Sequence, residues 1–182
     1  SIAGPWYREE SEPMKQAEIG LIGLGTMGAA LALNIAEKGF GIAVFNRTAS
    51  VTKSFHAEAG PLAQRIIPTE SLKDLVAAIH TPRAIILMVP AGSVVDEQIA
   101  ALRPLLDPED LIIDAGNANF NDTNRRARAA GGPFLGIGVS GGEDGARHGP
   151  AIMGGGARAH WDRVAPILRA ISAKFQGEPC AS

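Results

Sequence analysis

The sequence predicts an α/β domain with a doubly wound, mostly parallel sheet and helices on both faces. Short apolar runs without polar alternation recur along the chain, as they do in strands that are buried on both faces. Helical patterns separate these runs, and that order is typical of parallel sheets. A glycine-rich turn at 23–28 (GLGTMG) follows the first run and opens the first helix.

Each strand and helix is predicted from a feature of the local sequence. Apolar runs predict strands at 19–22, 41–45, 84–89, 111–114 and 134–139. Helices are predicted at 26–38, 50–59, 70–79, 94–102, 120–130 and 158–174. In the first helix Met27, Leu31 and Ile35 repeat at four-residue intervals, while Gly60-Pro61 and Thr81-Pro82 end the second and third helices.

Composition limits the possible partners and compartments. The net charge of −2 argues against nucleic acid and anionic membranes, and no apolar run approaches the roughly 20 residues of a membrane span. The single cysteine, Cys180, excludes an intrachain disulfide and favours a reducing, cytoplasmic compartment. Residues 1–13 are polar and contain two prolines, so we expect a flexible leader before one domain at 14–182. The alternative is an arm that docks Trp6 and Tyr7 on a partner.

The glycine turn predicts a dinucleotide site. Gly23 allows the tight turn after the strand, Gly25 leaves no side chain between backbone and pyrophosphate, and Gly28 lets the helix approach the strand. The helix N-terminus then offers free N–H groups to the phosphates. The alternative is a glycine-rich turn that binds nothing.

The residues after the second strand favour NADP over NAD. An NAD site usually has an acidic residue there, which holds the ribose 2′-hydroxyl. This chain has Asn46-Arg47-Thr48 instead, and a guanidinium with a hydroxyl suits a 2′-phosphate. The alternative is that Arg47 is a solvated loop residue.

Three further strand ends carry small or polar residues where ligands bind in such sheets: Val89-Pro90-Ala91-Gly92, Asp114-Ala115-Gly116-Asn117 and Ser140-Gly141-Gly142-Glu143. The Asn117 amide could bind both a carboxamide and a substrate oxygen. Ser140 and the backbone of the next two glycines could bind a carboxylate or a hydroxyl. An Asx turn and a tight turn are the structural alternatives.

Several polar residues are assigned no role in chemistry. Arg125, Arg126 and Arg128 are predicted to form a solvated helix face, the alternative being contact with a ligand or partner, and Asp114 is interpreted as structural. The histidines lack metal-ligand spacing, and no catalytic triad is apparent.

Taken together, these residues resemble the N-terminal coenzyme domain of the 6-phosphogluconate dehydrogenase family. The resemblance runs from about Ile19 to Cys180. It is carried by GLIGLGTMGAALALNIAEKGF (20–40), FNRT (45–48), DAGNANFNDTNRRA (114–127), GVSGGEDGARHGP (138–150) and GEPC (177–180).

The resemblance implies an NADP-dependent oxidative decarboxylation of 6-phosphogluconate to ribulose 5-phosphate, without a metal, in the pentose phosphate pathway. It implies cofactor contacts by residues along four segments: Gly23, Leu24, Gly25, Thr26, Met27, Gly28, Asn46, Arg47, Thr48, Val89, Pro90, Ala91 and Asn117. It implies substrate contacts by Asn117, Ser140, Gly141 and Gly142, and a homodimeric full-length enzyme.

Some features depart from the family pattern. Pro90 stands where lysine or glutamine is common, and Met153-Gly154-Gly155-Gly156 replaces Met-Pro-Gly-Gly. The family's large all-helical domain, which carries the proton-transfer residues, is expected to be absent from this chain. No catalytic residue is therefore assigned, and this chain alone is expected to bind cofactor without turnover. A β-hydroxyacid dehydrogenase relative and a non-enzymatic NADP-binding module remain as alternatives.

Overall fold

A computed structural model describes residues 16–116 and 120–182. Strands β1 to β9 are Ile19–Ile22, Ile42–Phe45, Ile66–Thr69, Ala84–Leu87, Leu111–Asp114, Phe134–Val139, Ile152–Gly156, Lys174–Phe175 and Glu178–Pro179. Helices α1 to α7 are Thr26–Glu37, Ala49–Glu58, Leu72–Ala77, Ser93–Leu102, Phe120–Ala129, Gly142–His148 and Arg158–Ile171. Two 3-10 turns lie at Gly60–Arg65 and Arg103–Leu105. The expected leader, 1–13, lies outside the described residues.

The first seven strands form one sheet in the order β3-β2-β1-β4-β5-β6-β7. Strands β1 to β6 pair in parallel, and β7 pairs antiparallel to β6. The doubly wound, mostly parallel sheet predicted from the sequence is confirmed. Chain order runs outward in one direction from β1 to β3 and in the other from β4 onward, so a crevice opens between β1 and β4.

Helices cover both faces of the sheet, as predicted. Alternate side chains of each strand point to opposite faces, so Leu21 packs with α1, α6 and α7, whereas Ile22 packs with α3 and α4. Burying each such side chain fully contributes about 1.5–3 kcal/mol. No helix among the described residues is both long and apolar enough to cross a membrane.

The sequence analysis missed β3, α6, β7 and the small β8–β9 hairpin. Pro68 lies in β3, where a proline is tolerated because this strand forms the sheet edge. In β7, Gly154 lies under the Trp161 ring, and an added Cβ would come within 2.4 Å of it. These segments depend on tertiary contacts rather than local pattern. The last long helix ends at Ile171, three residues earlier than predicted.

Candidate dinucleotide site at the carboxyl edge of the sheet

The turns predicted to bind ligands meet at the carboxyl edge of the parallel strands. One group of segments, which we name the glycine side, comprises the turn 23–28 after β1 and residues 46–48 after β2. The other group, the polar side, comprises 88–92, 114–116 and 140–142 after β4, β5 and β6. The crevice between β1 and β4 separates the two sides.

Two glycines of the turn are required by the fold itself. Gly23 has a φ of +101°, and a Cβ there would lie 2.2 Å from the carbonyl oxygen of Met88. A Cβ on Gly28 would lie 1.7 Å from the carbonyl oxygen of Gly23. Neither position can accept a side chain without backbone movement, which fits their predicted roles in the tight turn and in helix–strand packing.

Gly25 differs from both neighbours. Among the described residues, an added Cβ would meet no atom within 4 Å, so packing within them does not explain a glycine there. Gly25 is also the N-cap of α1, with no side chain to cap the helix, and the first turn of α1 carries no acidic residue. Gly25 and Thr26 are exposed, Met27 is half-buried and Leu24 is buried. The arrangement leaves free N–H groups and open space for an anion.

Asn46 connects the glycine turn to the end of β2. Its Oδ1 accepts a hydrogen bond from the Leu24 N–H at 2.9 Å, and its Nδ2 donates to the Thr48 carbonyl at 3.4 Å. The oxygen of the amide is therefore used within the protein. This contact fixes the glycine turn relative to the residues that follow β2.

Arg47 and Thr48 extend from this connection into solvent. Both residues are exposed, and Arg47 has no ion pair or hydrogen bond with any of the residues at 16–116 and 120–182. Thr48 is the N-cap of α2, yet its hydroxyl caps no backbone N–H, and the first turn of α2 has no acidic residue. A guanidinium, a hydroxyl and a helix N-terminus are thus all available to one anionic group.

On the polar side, the end of β4 packs between its two neighbours. The Met88 N–H donates to the Ile22 carbonyl at 2.8 Å, and a Cβ on Gly116 would lie 2.8 Å from the Val89 carbonyl oxygen. Val89 is half-buried, while Pro90 and Ala91 are exposed. The exposed pair therefore forms part of the rim of the crevice.

The end of β5 holds a buried carboxylate. Asp114 is 2% exposed, and its Oδ1 accepts a hydrogen bond from the Gly116 N–H at 3.0 Å. Burial raises the pKa of Asp114, although the Gly116 N–H and the Arg126 guanidinium act in the opposite direction. Asn117, predicted to touch both cofactor and substrate, lies outside the described residues.

The prediction that Arg125, Arg126 and Arg128 form a solvated face of α5 is wrong for Arg126. Arg126 is 2% exposed, whereas the side chain of Arg125 is 55% exposed. Arg126 lies four residues before Ala130, which is part of the apolar core. That helical spacing is the signal that could have identified Arg126 as buried.

The end of β6 also presents open backbone. Gly141 adopts a left-handed conformation, with φ +98°, and a Cβ on Gly142 would meet no atom within 4 Å. Ser140 is exposed and its hydroxyl donates to the Ala151 carbonyl at 3.2 Å. Glu143 and Asp144 lie in the first turn of α6. Their carboxylates partly offset the positive end of the helix.

A buried amide holds α6 in place. Asn34 of α1 is fully buried, and its Nδ2 donates to the carbonyls of Ala146 at 3.1 Å and Ile171 at 2.9 Å. The sequence analysis missed this residue. Its position three residues after Leu31, on the apolar face of α1, could have identified it as a buried polar group.

The histidines take part in other contacts. His148 lies 3.8 Å from Asp144 on the surface of α6, and the His160 ring lies 3.3 Å from the Phe134 carbonyl. The described residues include no group of three or more histidine, cysteine, aspartate or glutamate side chains placed to hold a metal ion.

The sheet order, the crevice and the glycine turn define a dinucleotide-binding domain of the Rossmann type. The sequence model of one protein family, described as the NAD binding domain of 6-phosphogluconate dehydrogenase, matches residues 18–179. The chain belongs to that family.

Individual relatives agree with the family assignment. A decarboxylating 6-phosphogluconate dehydrogenase of Chlamydia pneumoniae is 49% identical over 170 residues, which is 92% of this chain and 35% of the relative. An NADP(+)-dependent, decarboxylating enzyme of Bacillus subtilis is 46% identical over 172 residues, 93% of this chain and 36% of the relative. The chain thus spans about a third of the length of these relatives.

A solved structure has the same fold. The 6-phosphogluconate dehydrogenase of Plasmodium falciparum, described with its cofactor NADP+ and its substrate 6-phosphogluconate, superposes with a TM-score of 0.85. It is 38% identical, and the match covers 91% of this chain and 36% of that one.

Proposed function

We propose that this chain is the NADP-binding part of a 6-phosphogluconate dehydrogenase, which oxidises and decarboxylates 6-phosphogluconate to ribulose 5-phosphate. The observation that carries the proposal is the contrast within the glycine turn. Gly23 and Gly28 are glycine because the protein fills the space around them, but Gly25 faces open space. A bound pyrophosphate gives that third glycine a physical reason.

The glycine side supports NADP over NAD. Arg47 is exposed and, in the described part of the chain, unpaired, and it stands where an NAD site usually has a carboxylate. Glu70 follows the neighbouring strand β3, but its carboxylate pairs with Lys53 at 3.3 Å. The 2′-phosphate of NADP would therefore lie near the exposed guanidinium of Arg47, while the carboxylate of Glu70 is paired with Lys53. The named NADP(+) dependence of the Bacillus subtilis relative agrees with this preference.

The polar side would receive the nicotinamide and the sugar. When bound, NADP+ supplies the ring that accepts a hydride from the substrate. Val89, Pro90 and Ala91 would border that ring, and Asn117 would contact both ring and substrate. Ser140, Gly141 and Gly142 would bind the substrate through a carboxylate or a hydroxyl. We assign no proton-transfer residue in this chain, so we propose that it binds cofactor without turnover by itself.

The remaining proposals concern the whole enzyme. We propose one folding unit at 14–182, a cytoplasmic location based on the single cysteine, and a homodimer with no nucleic-acid partner. Equilibrium sedimentation of the complete enzyme tests the dimer, and a monomer would contradict it.

A domain exchange tests the function directly. This chain, substituted for the matching third of the Chlamydia pneumoniae enzyme, should give a chimera that reduces NADP+ with 6-phosphogluconate. The matched control is the same chimera with Gly25→Ala, which should fold but lose activity. A chimera that folds and is inactive with 6-phosphogluconate would contradict the proposal. Activity with another hydroxy acid would favour a β-hydroxyacid dehydrogenase.

A further inference from the structure

Arg126 is the centre of a charge network behind the polar side. Its Nε donates to Asp96 Oδ1 at 2.9 Å, and its Nη2 donates to the Gly92 carbonyl at 2.9 Å. Its Nη1 lies 3.6 Å from Asp114 Oδ2. One buried guanidinium therefore contacts the first turn of α4, the loop before α4 and the end of β5.

Both loops that Arg126 contacts line the crevice. Gly92 closes the loop after β4, which includes Val89, Pro90 and Ala91. Asp114 begins the turn after β5, which leads through Gly116 to Asn117. The two loops also touch each other, since Gly116 packs against the Val89 carbonyl. A shift of Arg126 would therefore move both loops together.

The contacts in this network fix the position of Arg126 but do not give each buried polar atom a hydrogen bond. Asp114 Oδ2 and Arg126 Nη1 are buried, and neither has a hydrogen-bond partner among residues 16–116 and 120–182. Buried ion pairs of this kind add little net stability, because desolvation offsets their attraction. Removing one partner is costly, since it leaves the other charge buried and uncompensated. A buried guanidinium held by these contacts has one preferred position, which suits a residue that fixes the geometry of neighbouring loops.

We propose that Arg126 is a positioning residue, which locks the loops 88–92 and 114–116 in the geometry that accepts the nicotinamide half of the cofactor. This inference rests on the proposed NADP site. Arg126 thus acts on the polar side of the crevice. The glycine side has no contact with Arg126 among the hydrogen bonds and ion pairs of the described residues.

Arg103 provides a matched structural control. It donates to three carbonyls, those of Ala130, Asp110 and Pro133, at 2.7–3.1 Å. These carbonyls lie near the amino ends of β5 and β6, at the opposite edge of the sheet from the crevice. Arg103 thus has as many anchoring contacts as Arg126, but none near the proposed cofactor.

Calorimetric titration with NADP+ and with adenosine 2′,5′-bisphosphate, which lacks the nicotinamide half, tests the inference. Arg126→Met should weaken NADP+ binding at least tenfold and leave bisphosphate binding within twofold. Arg103→Met and Arg125→Met should leave the ratio of the two affinities unchanged, whatever they do to the melting temperature. Equal weakening of both ligands by Arg126→Met, or no weakening of NADP+, would overturn the proposal.

Hydrogen exchange of the Arg126→Lys variant provides a second test. It depends neither on ligand binding nor on whether Arg126→Met folds correctly. Arg126→Lys keeps the charge but cannot make all three contacts. Amides at 88, 89, 91, 92 and 114–116 should exchange faster than in the wild type, and those at 23–28 should not change. Unchanged exchange in both loops would overturn the positioning role. If the wild type binds neither ligand, the proposed function fails, and the exchange result still decides whether Arg126 holds the loops.

Discussion

The glycine side and the polar side of the crevice are built by different physical means. The glycine side uses backbone and close packing, mainly within one strand–helix–strand unit, so most of its parts are neighbours in sequence, although Gly23 also packs against Met88. The polar side is assembled by side chains from distant segments, and Arg126 reaches Asp96 across 30 residues of sequence. Substitutions on the glycine side should therefore have effects close to the substituted residue. Substitutions on the polar side should disturb both of its loops, 88–92 and 114–116.

The largest expected effect comes from filling a close contact on the glycine side. Gly28→Ala would place a Cβ 1.7 Å from the Gly23 carbonyl oxygen, so the turn must move. We expect a loss of about 3 kcal/mol in the free energy of unfolding, as for severe overpacking. Thermal unfolding followed by circular dichroism should show a melting temperature lower by about 6–12 °C. A melting temperature equal to that of the wild type would contradict the geometry of the turn.

Gly25→Ala is the matched variant for Gly28→Ala, because the methyl group added at Gly25 enters open space. Stability should be nearly unchanged, and the methyl group should obstruct the pyrophosphate. Losing one or two charged hydrogen bonds corresponds to about a 10–100-fold weaker affinity for NADP+. Calorimetry on the variant measures this effect. Wild-type affinity would mean that no phosphate approaches Gly25.

Arg47→Ala should have a smaller and more selective effect. The exposed guanidinium contributes only to ligands with a 2′-phosphate, so we expect about tenfold weaker NADP+ binding and unchanged NAD+ binding. Thr48→Val is a useful companion, since it removes only the hydroxyl. If NAD+ binding falls as much as NADP+ binding, Arg47 supports the site in general and does not select the phosphate.

The smallest expected effect is a pH-dependent one on the polar side. The hydrogen bond from Arg126 holds the pKa of Asp96 below its ordinary value of 3.8. Its stabilisation is therefore present above that ordinary value and is lost as the pH falls through the lowered pKa. The side chain of Asp96 is 39% exposed, so solvent screening limits the effect to about 1 kcal/mol.

Urea unfolding of the wild type and Asp96→Asn at several pH values measures this contribution. The difference in the free energy of unfolding should be greatest near pH 7 and should decrease as the pH falls below the ordinary pKa of 3.8. Asp114 and Asp122 are present in both proteins, so the difference isolates the replacement of Asp96. Asp162→Asn, which removes an exposed i,i+4 pair with Arg158, should give a small difference throughout. A pH-independent difference for Asp96→Asn would mean that Arg126 does not lower the pKa of Asp96.

The two sides also differ in how much of them the sequence could predict. The glycine turn, its strand and its helix are encoded in consecutive residues, so local pattern is enough to predict them. The sequence pattern places Arg126 in solvent because its partners, Asp96 and Gly92, lie on a different element. Helix α6 was missed because two of its seven residues, Gly142 and Gly145, are poor helix formers. It is held instead by the Asn34 contact with Ala146.

The most direct test is calorimetric titration of this chain with NADP+ and, separately, with NAD+. We predict micromolar affinity for NADP+ and at least tenfold weaker binding of NAD+, because we propose that Arg47 binds the 2′-phosphate and that Gly25 leaves space for the pyrophosphate. Equal affinity for the two cofactors would contradict the role of Arg47. Binding of neither would contradict the central claim that this crevice is a dinucleotide site.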